Sequence, residues 1–276
     1  MAGIPQVDKG TILGIILGLG GIVGGLLLEK GTLSDIGQGT AALIVLGGTF
    51  GAVLIGTPFP EVLAALAQLR MVLFDPGDNC NEILEQVIGF AAKARRNGIV
   101  SLEKDTESIV DPFLRKAVNL AVDGAELTEL RSMMELDMHV EHRRMLSRSN
   151  VFESAGGYAP TIGIIGAVLG LIQVMKNLAN IEEVGRGIAV AFVATVYGVG
   201  AANLLFLPAA SKLRGHAKRR LEVMEMILEG VAGILEGMNP KMIRRKLEGL
   251  AEAPQAAKAA RRAEAPFVSP VERAQA

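Results

Sequence analysis

The sequence predicts an all-α, polytopic membrane protein. It has four transmembrane helices in two hairpins, a helical insertion between the hairpins and an amphipathic helix after the second. Three observations carry this. Four runs carry no charge, Gly10–Leu28, Ile36–Pro60, Ser154–Met175 and Gly187–Ser211, in a chain where 21% of residues are charged. Each run is about 19 to 25 residues, the length a helix needs to cross a hydrocarbon core about 30 Å thick. The runs pair across the short connectors Glu29–Asp35 and Lys176–Arg186, while the segments between and after the pairs regain charge with apolar residues at helical spacing.

Composition narrows the function. The 33 glycines suit helices that pack closely in lipid. The net charge of −1 gives no basis for a nucleic-acid partner. Cys80 is the one cysteine, so an intrachain disulfide is excluded. The first run is full length, has only Lys9 close before it and lacks a cleavage site, so it reads as a span and not as a cleaved signal.

Lys and Arg set the expected orientation. The first connector carries Lys30 alone, and the second carries Lys176 and Arg186 at its edges. The insertion carries eleven and the tail thirteen, several near a span end: Arg70, Arg143, Arg144, Arg148, Lys212, Arg214, Lys218, Arg219 and Arg220. Positive residues stay on the cytoplasmic side, which places the insertion and both termini in the cytoplasm.

The expected organisation is a first hairpin at 1–60, a cytoplasmic helical domain at 61–153, a second hairpin at 154–211, an amphipathic cytoplasmic helix at 212–250 and a disordered tail at 251–276. In the insertion, Asn81–Arg96 sets Ile83, Leu84, Val87, Ile88 and Ala91 on one face, and Asn97-Gly98 stops it. Asp111–Val122 follows, with Pro112 in the first turn, where proline is tolerated. Ala125–Ser149 should run directly into the third span. In the tail, His216–Met238 aligns Leu221, Met224, Ile227, Leu228, Val231 and Leu235. After Leu250 the chain turns rich in Ala, Pro and charge, a composition unable to bury a core.

Small residues four apart, Gly14/Gly18, Gly20/Gly24 and Gly21/Gly25 in the first span and Gly166/Gly170 in the third, let helix backbones approach. The plainer reading is contact within one chain; the alternative is a subunit interface. Pro160 and Pro208 lie near the cytoplasmic ends of the third and fourth spans. Each frees a carbonyl one turn earlier, either as helix punctuation or as a built-in kink. Thr161, Gln173, Thr195, Tyr197 and Asn203 are the main polar groups of the second hairpin, whereas the first has only Thr49 and Thr57 deep in its span. A membrane threonine commonly bonds back to its own helix; the alternative is that Thr195 and its neighbours line a hydrated path. No span contains Asp, Glu, His, Lys or Arg. Proton and ion carriers keep an ionisable group in the membrane. Either the protein is a structural scaffold, or a partner brings a carboxylate to a pocket these helices wall.

Several stretches resemble the MotA family of flagellar stator subunits, within the MotA/TolQ/ExbB group. In the second span these are Gly47-Gly48-Thr49-Phe50-Gly51-Ala52-Val53-Leu54-Ile55 and the following Pro58-Phe59-Pro60-Glu61-Val62. In the insertion the stretch is Ala91-Ala92-Lys93-Ala94-Arg95-Arg96-Asn97-Gly98-Ile99-Val100-Ser101-Leu102-Glu103. The third span contributes Tyr158 to Leu171 and the fourth Val193-Ala194-Thr195-Val196-Tyr197-Gly198. The match covers roughly residues 5–240 in the family's order and spacing.

The resemblance implies a proton-driven stator subunit of the bacterial inner membrane. It implies a ring of five copies around a dimer of a MotB-type single-span, peptidoglycan-binding partner, whose membrane Asp takes up the ion. It implies Arg95 and Glu103 as contacts to the rotor switch-complex protein, and an ion path walled by Pro160, Thr161, Ala167, Thr195, Tyr197 and Pro208. Sodium-type relatives often carry Thr where this chain has Ala167, which favours protons. No catalytic residue, metal or cofactor is implied, and the protein is not read as an enzyme. The alternative is an ExbB/TolQ-type energiser of an outer-membrane process, but such proteins have three spans with the large segment after the first. Reporter fusions test the orientation: those after Lys30 and near Glu182 should read periplasmic, those after Cys80 or Leu228 cytoplasmic. A periplasmic signal after Cys80 reverses the scheme.

Overall fold

The computed structural model describes residues 6–75, 77 and 79–249. Helix follows helix: α1 (Lys9–Leu28), α2 (Gly39–Gly56), α3 (Phe59–Gln68), α4 (Cys80–Asn97), α5 (Pro112–Val122), α6 (Leu127–Lys176), α7 (Ile181–Leu235) and a last helix, α8, over 240–249. Among the described residues the only strand pairing is two residues long and antiparallel, Gln6 with Asp75 and Val7 with Phe74. Four helices, α1, α2, α6 and α7, are long and apolar enough to cross a membrane, so the all-α, four-span architecture holds. The expected disorder of 251–276 lies outside the described residues.

The chain divides into two compact units. The first joins Met1–Gly77 to His142–Ala217, and the second joins Asp78–Glu141 to Lys218–Ala276. In the first unit, Asp8 caps α1 by accepting from the backbone of Gly10 and Thr11, as short acidic residues do at a helix start. None of the residues of α1 is buried, and a helix apolar on every side in this way belongs in lipid. The second span is shorter than its charge-free run. Thr57 turns extended (φ −137°, ψ 134°), because the ring of Pro58 pushes the residue before it out of the helical region. Pro58 then precedes α3, with Pro60 in its first turn.

Two helices run on past the ends of their spans, the first as expected and the second not. The charged segment from Leu127 and the third span form one helix of 50 residues, with Pro160 inside it. The tail helix expected to begin at His216 is not separate: α7 runs unbroken from Ile181 to Leu235. Nothing in Ser211-Lys212-Leu213-Arg214-Gly215 stops it, since one glycine costs a helix only about 1 kcal/mol.

In the first unit α6 and α7 meet backbone to backbone. A Cβ on Gly163 would lie 2.9 Å from the Ala194 carbonyl oxygen, one on Gly198 2.5 Å from that of Ala159, and one on Gly170 2.7 Å from that of Gly187. Gly163 and Gly170 are seven apart, as are Gly187 with Ala194 and Ala191 with Gly198, so the contact is a continuous seam. Gly166 sits on Ala194 and Ile44, which supports the within-chain reading for the third span's glycines. The first span behaves otherwise: Gly14, Gly20, Gly21, Gly24 and Gly25 have nothing within 4 Å of an added Cβ, and Gly18 meets only Leu204. Those glycines do not pack within the chain.

The second unit has its own apolar core. Ile83, Leu84 and Val87 of α4, Phe113, Leu114, Ala117 and Val118 of α5, Leu130, Met134 and Met138 of α6, Met224, Ile227 and Val231 of α7, and Ile243 and Leu247 of α8 are all buried. Arg220 joins three of its helices. It bonds Asp111 at 2.6 Å and Glu141 at 3.1 Å, while Asp111 caps α5 through the backbone of Phe113 and Leu114.

The seam predicts a matched pair of outcomes. Gly198→Ala forces a methyl onto the Ala159 carbonyl and should destabilise the purified protein by about 1–3 kcal/mol, the usual cost of overpacking. Gly200→Ala, where nothing lies within 4 Å, should leave the melting temperature unchanged or raise it. Equal melting of both variants contradicts the seam.

Candidate ion-path wall and rotor-facing turn

The residues expected along the ion path all fall on α6 and α7 of the first unit. Pro160 is half-buried within α6, and Pro208 is exposed on α7, two residues past a widened π-helical turn at Ala202–Phe206. The two prolines lie about 7 Å apart along the antiparallel pair, at 1.5 Å per residue. Gly156, one turn before Pro160, packs against Leu207, a Cβ there coming 2.5 Å from its Cδ2. A second π-helical turn, Leu43–Gly47, lies in α2. Such turns and prolines are the usual local breaks in otherwise regular helices.

The hydroxyls are mostly satisfied locally. Thr161 donates to the Tyr158 carbonyl at 2.8 Å and is exposed. Thr195 donates to the Ala191 carbonyl at 3.2 Å and is half-buried. Its Cα lies 3.5 Å from the place a Gly163 Cβ would take, so the seam brings Thr195 within a turn of Pro160. Ala167 is half-buried beside Gly166. The Tyr197 hydroxyl is committed elsewhere: it donates to the Ile36 carbonyl and accepts from the Gln38 backbone at 3.3 Å. Tyr197 is sixteen residues into α7, about 24 Å from Ile181 at 1.5 Å per residue. The residues just after the first connector therefore meet α7 well past its start.

Two buried polar groups stand out in this unit. Ser149 donates to the Ala210 carbonyl at 2.8 Å. Thr49 is fully buried in α2, and its hydroxyl has no hydrogen-bond partner among the described residues. Sequence reasoning saw Thr49 only as one of two polar groups in its hairpin.

Arg95 and Glu103 lie in the second unit, on either side of a reversal at Gly98, whose φ of +80° glycine adopts without strain. Arg95 is in the last turn of α4, and Glu103 begins a short helix, Glu103–Thr106. Both side chains are exposed, and neither has an ion-pair partner among the described residues. The Lys93–Asp105 bond, 2.6 Å long, ties the two arms of the turn together. Val100 stands between them, also exposed. No cluster of three or more His, Cys, Asp or Glu that would hold a metal occurs among the described residues.

Sequence reasoning missed one constellation. Lys212, read only as a charge that orients the spans, bonds through its ammonium to Asp8, to the Thr11 hydroxyl and, at 2.8 Å, to the Val72 carbonyl. Asp8 just before an apolar helix was a legible cap signal; its distant lysine was not.

Comparison with known proteins bears on this arrangement. The profile of the MotA/TolQ/ExbB proton channel family matches residues 105–226, and that of the motility protein A N-terminal region matches residues 12–98. The chain is 35% identical over 243 residues to motility protein A of Bacillus subtilis (strain 168), covering 87% of this chain and 90% of that one. Among solved structures it resembles C. jejuni MotAB, with a TM-score of 0.83, 34% identity and coverage of 88% and 95%. It also resembles the flagellar MotAB stator complex from Bacillus subtilis, with a TM-score of 0.80, 35% identity and coverage of 91% and 99%. The fold and seam define a four-span member of the MotA/TolQ/ExbB proton channel family, and within it the chain belongs to the motility protein A family.

The electrostatics of the second unit give a pH dependence. Arg131 first, then Lys246, holds the Glu229 carboxyl down from its ordinary 4.5 to about 2, against desolvation that pushes it up. A carboxyl more acidic in the folded state stabilises it at pH above 4.5 and loses that effect as pH falls through about 2. Unfolding followed across that window should show acid destabilisation, and Glu229→Gln should be less stable at pH 7 with a flatter acid limb. An unchanged acid limb in Glu229→Gln excludes this network as its source.

Proposed function

We propose that the chain is a flagellar stator subunit that couples proton flow across the bacterial inner membrane to torque on the rotor. Five copies ring a dimer of a MotB-type, peptidoglycan-binding partner with one span. The carrying observation is the pairing of α6 and α7 along a glycine seam in a set of spans without one ionisable side chain. A wall of this kind conducts nothing on its own; it takes a carboxylate from outside, and the partner's membrane Asp supplies it. Protonation of that Asp changes its fit against Pro160, Thr161, Ala167, Thr195 and Pro208. Tyr197 supports the wall by holding Ile36 and Gln38, just after the first connector. The ring then steps around the partner, each proton releasing about 2.3 kcal/mol per 100 mV.

In this reading 61–153 and the tail from 212 are cytoplasmic, and Arg95 and Glu103 meet the rotor switch-complex protein. Their exposure and freedom from internal ion pairs support the contact, since charges already paired gain little from a new partner. Ala167 supports protons over sodium. Dehydrated sodium asks for several oxygen ligands, while a proton needs one carboxylate and a water or hydroxyl path. The ExbB/TolQ-type alternative is disfavoured by the four spans and by the match to the motility protein A N-terminal region.

A strain lacking this chain should build flagella and not swim, with nutrient uptake intact. Arg95→Glu should impair swimming without lowering the membrane amount, and an opposite charge swap on the rotor should partly restore it. Normal swimming of Arg95→Glu and Glu103→Lys, alone and together, removes these residues from the contact. Swimming should persist without sodium and stop with a protonophore; speed that tracks sodium at a fixed proton gradient overturns the ion assignment. Thr195→Val should lower ion flow more than assembly, and unchanged flow leaves that hydroxyl only its bond to Ala191.

A further inference from the structure

The attachment of α1 is unusual for its economy. The helix buries no residue, and its neighbours are the Arg70–Leu73 turn and the Ala202–Phe206 turn of α7. Where it begins, three distant segments converge. The backbone of Asp8 donates to the Leu73 carbonyl at 3.1 Å, and the strand pair Gln6–Val7 with Phe74–Asp75 continues that contact. Lys212 reaches in from α7.

An ammonium has three N–H donors and no acceptor. Here all three have a partner: Asp8 Oδ2, Thr11 Oγ1 and the Val72 carbonyl oxygen. Asp8 is filled as well. Its carboxylate accepts from the Gly10 backbone at 2.8 Å, from the Thr11 backbone at 3.3 Å and from the Thr11 hydroxyl at 3.1 Å. The side chains of Lys212 and Asp8 are 19% and 28% exposed, so water screens the pair less than a surface pair. Lys212 holds the Asp8 carboxyl down to about 2, so Asp8 stays ionised at any pH the cell meets. Lys212 lies one turn beyond Pro208, on the far side of the widened turn at Ala202–Phe206. The two points that hold α1 therefore lie on the irregular part of α7 and one turn past Pro208.

We propose that Lys212 is a positioning residue: its ammonium fastens the capped start of α1 and the Val72 carbonyl to α7 just past Pro208, so that the outer span and the ion-path wall move together. The proposal rests on the stator reading given above. A displacement at the α7 break has to carry α1 and the Arg70–Leu73 turn with it, or break three charge-assisted hydrogen bonds at once. Fastened on the widened turn and again past it, α7 cannot relax by sliding its end past α1.

The test uses the full chain with its single-span partner, in cells lacking the native copy. Lys212→Met, Lys212→Arg and Asp8→Asn are compared with wild type. One readout is the membrane amount and the partner retained on purification; the other is rotation speed per incorporated unit, from stepwise recovery of tethered cells. Lys212→Met should assemble near the wild-type amount and lose between about twofold and thirtyfold in speed per unit, the range of coupling energies single contacts carry. Lys212→Arg keeps the charge and enough donors for the same three oxygens, and should restore most of the speed. Asp8→Asn keeps the cap and loses the charge, and should fall between. Wild-type speed per unit in Lys212→Met overturns the proposal. So does a parallel fall of amount and speed that Lys212→Arg fails to restore, which marks a merely structural contact.

A second measurement separates the proposal from the stator reading. Thr11→Cys with Lys212→Cys, in a Cys80→Ser background, should cross-link with a short bis-maleimide in isolated membranes, whatever ion the protein uses. Cross-linking with no rotation in any wild-type cell sinks the stator reading and leaves the tether; rotation in wild type without cross-linking sinks the tether.

Discussion

The close approach of α6 and α7 is the constraint on which the first unit depends. Oxygen and α-carbon atoms of one helix sit where the other has no Cβ, at Gly163, Gly170, Gly187 and Gly198. In lipid no hydrophobic driving force joins two apolar helices, so contact at van der Waals distance must do it. The seam supplies that contact over about two turns of α6 and three of α7 and determines what faces outward. Thr195 is held at the seam, Thr161 is turned out, and the contact of Gly156 with Leu207 fixes the spacing of the two prolines along the pair. A side chain larger than hydrogen at any of the four glycines separates the helices and moves every group they position.

This construction explains why the wall is chemically quiet. Three hydroxyls of the second hairpin are already bonded to carbonyls, Thr161 to Tyr158, Thr195 to Ala191, and Tyr197 to Ile36. Local bonds of this kind lower the cost of holding polar groups in the membrane. They remain available for exchange when water or a carboxylate arrives. The second unit is built differently, around a dense apolar core with the Arg220–Asp111–Glu141 and Arg131–Glu229–Lys246 networks at its edges. The turn that carries Arg95 and Glu103 is the opposite of those networks: the two residues stand on a well-tied hairpin yet have no ion-pair partner among the described residues.

Much of this was legible in the sequence for simple reasons. A charge in lipid is expensive, so the four charge-free runs marked the spans. Glycine takes positive φ freely, so Asn97-Gly98 marked the end of α4. The apolar face of α4, with Ile83, Leu84, Val87 and Ala91, matched its buried residues. What was not legible depends on contacts across the chain. Local pattern gave no reason to expect α7 to run through 211–216, because the change from lipid to water alters composition without altering the helix. Small residues four apart read the same in the first and third spans, yet only the third packs them within the chain; the motif states what a helix can do and not which neighbour it has. Lys212 read as one basic residue among many, since the 204 positions separating it from Asp8 carry no pattern.

The proposed stator is a wall without a proton carrier of its own, completed by a carboxylate from a partner. Proton flux into liposomes with an imposed potential tests it most directly, comparing the purified chain alone, the chain with its single-span partner, and the complex whose partner has its membrane Asp replaced by Asn. The account predicts flux above the protein-free level only for the intact complex. Flux through the chain alone at the rate of the complex would contradict it.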